Sequence, residues 1–255
     1  MQLKYAKFFC LLLILVSSLY GEEGFIAKRQ QLKPYYGYRN ILMIASPGRS
    51  GSTLLTNVTK KYATRYKVLK THLLPPNTRY KGKILFIFSH PDQAAESALH
   101  LVLNSKSHGA THFSNVETAD RAWFNKIGRN ASNQNEIDNL LAYDALGCTE
   151  QLKEWLHRRT QPSGRQEAQI LAIKYEHLWD IETVQAIKDF LGLDAFKLPP
   201  KRERGCDLEK LSSQEIHFRR LYNVGTEEEP LYHAYDQARE LWQQAPPFQF
   251  LKILP

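Results

Sequence analysis

The apolar run Ile41-Leu42-Met43-Ile44-Ala45 stops at Ser46-Pro47-Gly48-Arg49-Ser50-Gly51-Ser52-Thr53 and resumes at Leu54-Leu55. That junction restricts the stretch to a strand, a tight loop and a helix. A short continuous apolar run closed by Pro and Gly suits a strand buried on both faces. Ser52 or Thr53 is a fit N-cap for the apolar-periodic helix that follows. A loop so placed turns free backbone N–H groups toward one spot. The helix dipole, the Arg49 charge and the hydroxyls of Ser50, Ser52 and Thr53 make phosphate or sulfate its natural guest. Gly48 and Gly51 are separated by only two residues and no Lys follows, so the loop is not a Walker A sequence. The plainer alternative is a Gly/Ser-rich connector that holds no ligand.

Two further strands are predicted nearby. Tyr66-Lys67-Val68-Leu69 runs into Lys70-Thr71-His72, and the strand at 83–88 runs into Ser89-His90-Pro91. In open parallel sheets ligands lie beyond the carboxyl ends of the strands, so Arg49, Lys70, His72 and Ser89 are expected to meet at one crevice. The expected fold is a single α/β domain, with a central, mostly parallel sheet flanked by helices.

These residues resemble the PAPS-dependent sulfotransferases. The loop 46–53 is similar to their 5′-phosphosulfate loop, Pro-x-(Lys or Arg)-Ser-Gly-(Thr or Ser)-Thr. Lys70-Thr71-His72 is similar to their Lys-Thr-His, whose histidine is the catalytic base and whose lysine stabilises the transferring group. Residues 86–97 resemble the 3′-phosphate segment: Pro91 is kept, Ser97 falls at the serine position, and Ser89 stands where the family has arginine. Ile170-Leu171-Ala172-Ile173-Lys174-Tyr175-Glu176-His177-Leu178 resembles their strand ending in Tyr-Glu-Asp-Leu, and 181–193 their next helix. The likeness covers roughly residues 40–195, with the motifs in family order.

The resemblance implies sulfuryl transfer from 3′-phosphoadenosine 5′-phosphosulfate (PAPS) to an acceptor hydroxyl on a glycan, peptide or small molecule, in a P-loop-like sulfotransferase architecture. It assigns His72, Lys70 and Arg49 to catalysis. It assigns Pro47, Gly48, Arg49, Ser50, Gly51, Ser52, Thr53, Ser89 and Ser97 to the nucleotide. The chemistry needs a base, cations where charge builds up and fixed donors, and no metal. Loss of the family arginine removes a planar charged fork. His90 or the stretch Lys201-Arg202-Glu203-Arg204-Gly205 could replace it, although the latter reads more readily as a solvated charge cluster. Two other readings stay open: a P-loop-like kinase, against which the missing Walker lysine argues, and a non-catalytic binder of sulfated or phosphorylated ligands, which Ser89 favours.

The remainder of the chain is read more coarsely. Lys4 and Lys7 precede an almost wholly apolar stretch, 8–20, and Gly21-Glu22-Glu23 ends it. Residues 1–21 therefore read as a signal peptide, shorter than the ~20 apolar residues of a full span, or as a short membrane anchor. A linker is expected over 22–38 and the catalytic domain over 39–255, exported to a secreted, periplasmic or Golgi-lumenal location. The net charge of +8 suits anionic ligands, and no nucleic-acid motif is present. With Cys10 in the leader, Cys148 and Cys206 either form one disulfide or are small buried hydrophobes. Asn57 and Asn130 begin sequons, Asn130 being the better acceptor. Helices are expected at about 92–104, 117–126, 135–159, 211–224 and 230–244. The stretch 105–114, with His108 and His112, reads as a loop, either an ordinary surface loop, which is the readier reading, or one beside the crevice that contacts the acceptor.

Overall fold

The computed structural model describes residues 24–104, 115–119, 144–201 and 235–255. Among them, seven strands form one sheet: β1 (Phe25–Ile26), β2 (Ile41–Ala45), β3 (Lys67–Thr71), β4 (Lys83–Phe88), β5 (Thr160–Pro162), β6 (Ile170–Lys174) and β7 (Phe248–Ile253). Their order across the sheet is β1-β3-β2-β4-β6-β7-β5. The first five in that order run parallel, and β7 is antiparallel to both β6 and β5. This is the α/β architecture, mostly parallel and in one domain, that the strand-loop-helix pattern predicts.

The apolar runs are continuous because both faces are covered. Ile41, Met43 and Ala45 of β2 join Ile84, Phe86 and Phe88 of β4 in one cluster, while Leu42 and Ile44 join Leu85 and Ile87 in the other. The first face is packed by α3 (Pro91–Asn104), α4 (Cys148–Lys153) and α6 (Asp236–Gln244), the second by α2 (Ser52–Tyr62) and α5 (Ile181–Leu191). Trp155, in the π-helical turn Glu154–Arg158 that continues α4, stacks on Phe86 at 4.6 Å.

Differences from the sequence expectation have local causes. β3 extends to Thr71 because Lys70 and Thr71 pair with Ile44 and Ala45 of β2, so the polar pair lies inside the strand. The stretch expected as linker, 22–38, supplies β1, the short helix α1 (Arg29–Leu32) and a 3₁₀ turn, and Leu32 is buried. Within the described part of the helix expected at 135–159, residues 144–147 are not helical and α4 begins at Cys148, after Gly147 in the left-handed conformation (φ 63°). Residues 135–143, 120–126 and 211–224 lie outside the described residues, as do the leader, the 105–114 loop, Asn130 and Cys206. Glu117 lies in a turn, not in the expected helix. Cys148 is buried and its thiol is free, and burial raises its pKa.

Candidate functional site

β2 lies between β3 and β4, so the next two strands of the chain fall on opposite sides of it. The carboxyl end of such a switch point is where open parallel sheets bind ligands. Pairing continues one residue past the strand, since the Ser46 N–H donates to the Thr71 carbonyl at 3.3 Å. Ser46 is thereby set beside His72: its carbonyl lies 3.0 Å and its hydroxyl 3.1 Å from His72 Nδ1. A carbonyl only accepts, so Nδ1 carries the hydrogen and Nε2 is the lone-pair nitrogen of the neutral ring. His72 is fully buried. Burial lowers its pKa from 6.5 to about 4. The Ser46 carbonyl opposes that shift, and the Lys70 and Arg49 charges add to it. The ring is therefore neutral at pH 7.

The loop itself turns through left-handed backbone at Gly48 (φ 100°), Arg49 (φ 55°) and Gly51 (φ 80°). Arg49 alone among these has a Cβ, and such a conformation costs about 1–2 kcal/mol. Its guanidinium Nε donates to Ser97 Oγ at 3.0 Å. Ser50 Oγ donates to the Gly48 carbonyl at 3.0 Å, and Ser89 Oγ donates to Ser50 Oγ at 3.1 Å. Lys70 Nζ donates to Thr53 Oγ1 at 2.8 Å and lies 5.7 Å from the Phe25 ring centre. Pro47, Gly48, Ser50, Ser52 and Ser89 are buried, Arg49, Gly51 and Ser97 half-buried, and Thr53 exposed. The first turn of α2 begins at Ser52, and N–H groups at that position have no acceptor within the helix.

The residues that the resemblance assigns to catalysis and to the nucleotide are thus brought to the loop or its immediate flank. Several partners were not legible as site residues. Tyr175, just past β6, lays its ring against Gly51, where a Cβ would meet it at 2.4 Å. Phe25 packs on His72 at 5.7 Å. The buried Gln151 donates from Nε2 to the His72 carbonyl at 3.1 Å, and the Glu117 N–H reaches the same carbonyl at 3.2 Å. Glu117 also accepts the Arg29 fork at 2.7 and 3.1 Å and the Leu74 N–H at 2.8 Å. Only the Tyr175-Glu176 pair carried any sequence signal. A two-residue strand and a lone glutamine carry none.

Of the groups that could stand in for an arginine at position 89, His90 and Lys201 both meet Glu176. The His90 N–H donates to Glu176 Oε1 at 2.8 Å, and its ring meets Trp242 edge-on at 4.7 Å. Burial is the largest influence on its imidazole and lowers its pKa, so it is a poor substitute for a permanent charge. Lys201 donates to the Glu176 carbonyl at 3.3 Å; Arg202 and Arg204 lie outside the described residues. Among the described residues no cluster of three His, Cys, Asp or Glu could hold a metal.

Chemically, this edge can hold an anionic group between the start of α2, Arg49 and Lys70 while His72 Nε2 takes a proton. No family model matches the chain, and no curated protein matches it. The crystal structure of mouse sulfotransferase SULT7A1 complexed with PAP is similar over 85% of this chain and 93% of its own. The TM-score is 0.43 and the identity 14%.

Proposed function

We propose that the protein is a sulfotransferase that uses PAPS and an acceptor hydroxyl. The observation that carries this reading is the meeting of three features at one strand edge: an anion loop, a lysine, and a histidine whose Nδ1 is tied to a carbonyl. When bound, PAPS supplies the sulfuryl group, which forms a bond to the acceptor oxygen as its bond to the phosphate oxygen breaks. His72 takes the acceptor proton at Nε2. Lys70 and the first turn of α2 hold negative charge at the sulfonate end, where fixed donors contribute most. Ser52 and Thr53 add hydroxyl donors there.

The residues fit the nucleotide at its other end in an altered way. Ser89 is spent on Ser50, but Arg49 stands at Ser97, the serine that the resemblance assigns to the 3′-phosphate. On this reading Arg49, besides its share in the sulfonate end, supplies from the loop the fork that is missing at the end of β4.

The test is labelled-sulfate transfer from PAPS across a panel of glycans, peptides and small alcohols. His72→Ala is expected to lower turnover by about 10²–10⁴-fold, the usual span for loss of a general base, with adenosine 3′,5′-bisphosphate affinity within about threefold of wild type. Arg49→Ala is expected to show the reverse emphasis, weakening that affinity by roughly ten- to a hundredfold, as loss of a charge-assisted bond does. Undiminished turnover in His72→Ala removes His72 as the base. A second reading, a non-catalytic anion binder, draws on the complete burial of His72; bisphosphate binding with no transfer to any acceptor selects it.

A further inference from the structure

Residues 24–91 hold 13 Lys or Arg and no Asp or Glu, so that stretch alone exceeds the net charge of the chain. A few of these cations serve the loop and His72. Most of the others collect at the opposite end of the sheet, where the strands begin. α2 runs down from the loop and ends at Tyr62, delivering Lys60 and Lys61 there, and Lys67 opens β3. Arg39 precedes β2 and Lys81 precedes β4, with the Lys81 N–H held by the Tyr36 carbonyl at 2.9 Å. All five of these side chains are exposed.

Tyrosines are interleaved with them. Lys67 Nζ lies 4.7 Å from the Tyr35 ring centre and donates to its hydroxyl at 3.3 Å. Lys61 lies 5.3 Å from the Tyr62 ring, Arg65 lies 5.1 Å from that of Tyr66, and Tyr38 is 60% exposed. Among the described residues, the acidic groups at this end are Asp189 and Asp194 by the end of α5 and Glu167 before β6, with Asp189 paired to Arg165 and Glu167 to Lys252 at 3.7 Å. Cations beside amphipathic rings form a surface that suits an anionic interface with a wet side and an apolar side.

The point where the chain enters the fold selects among such interfaces. Gly24 abuts the Val68 carbonyl, near the start of β3, at the same end as Lys67. The apolar stretch 8–20 ends at Tyr20, and only Gly21-Glu22-Glu23 stand between it and Gly24. Because β1 runs parallel to β3, with Phe25 opposite Lys70, the described chain enters the sheet from the side that bears Lys67. From this we propose that the amino-terminal edge of the sheet, bearing Arg39, Lys60, Lys61, Lys67 and Lys81 with their tyrosines, docks on an anionic lipid bilayer, leaving the loop and His72 facing away from it. The proposal is independent of the reaction assigned to that loop.

Full-length protein is titrated onto vesicles of pure phosphatidylcholine and onto vesicles containing 30 mol% phosphatidylglycerol. The leader contributes to both, so the ratio of affinities reads the basic face. Wild type is expected to prefer the anionic vesicles by at least about tenfold at 0.1 M salt, the preference collapsing at 0.5 M because exposed charges are screened. Arg39→Glu/Lys61→Glu/Lys81→Glu is expected to bring the ratio to about one with unchanged melting temperature. The milder triple Gln variant, which keeps the folded surface if the Glu variant does not, is expected to fall between. Equal binding of wild type to both vesicles overturns the proposal, as does a preference that survives both variants. Preferential binding to heparin or RNA that anionic vesicles do not compete away also overturns it.

Discussion

His72 is held neutral by its surroundings, and that has a measurable consequence for stability. An unfolded histidine takes up its proton near pH 6.5, whereas the folded site does so near 4. Between these values the unfolded chain binds the extra proton, so stability is full above about 6.5 and falls as pH drops toward 4. The shift corresponds to about 3 kcal/mol. Urea unfolding of wild type and His72→Gln across pH 4–7 isolates it: the wild-type slope over that window should exceed the variant's, and equal slopes would mean the imidazole is solvated. The same group predicts a ligand effect. Because Lys70 and Arg49 lower its pKa, an anion that neutralises them should raise the His72 titration midpoint in an NMR titration with adenosine 3′,5′-bisphosphate. A midpoint that is unmoved by a bound nucleotide would place the anion elsewhere.

The loop between β2 and α2 depends on one residue having no side chain. Gly51 is left-handed and its missing Cβ leaves room for the Tyr175 ring at 2.4 Å. Gly51→Ala is expected to destabilise the fold by about 2–4 kcal/mol, summing backbone strain and overpacking. Tyr175→Ala in the same chain should restore the steric part only. Full additivity in thermal or urea denaturation would show that the ring does not press on the loop.

At this scale the sequence was readable where apolar runs were long and closed by Gly or Pro. β2, β4, β6 and α5 follow the expected pattern, and so does the loop with Arg49, Lys70 and His72 around it. β1 has two residues and β5 three, one of them Pro162, so neither shows a period. β7 follows Pro246-Pro247, which reads as an ending rather than a beginning. The contacts of Phe25, Gln151 and Glu117 with His72 join residues far apart in sequence. Tertiary packing alone creates them, as it does the Arg49 to Ser97 bond.

Across the described residues two kinds of positive charge are separated. Arg49 and Lys70 lie at the carboxyl end of the sheet among buried hydroxyls, while Lys61, Lys67 and Lys81 lie at the other end among tyrosines. The first set answers a compact anion and the second an extended one, so salt should discriminate between them. Raising salt from 0.1 to 0.5 M is expected to weaken nucleotide affinity only a few-fold, since partly buried charges are screened less, while abolishing the preference for anionic vesicles. Parallel loss of both would point to a single diffuse field.

The central claim, that this loop is a phosphosulfate site, is tested most directly by calorimetric titration of the folded protein with adenosine 3′,5′-bisphosphate beside AMP. Saturable one-to-one binding of the bisphosphate, at least about tenfold tighter than AMP and weakened in Arg49→Ala, is the predicted result. No heat of binding from protein with a native circular-dichroism spectrum and a cooperative melt would contradict it.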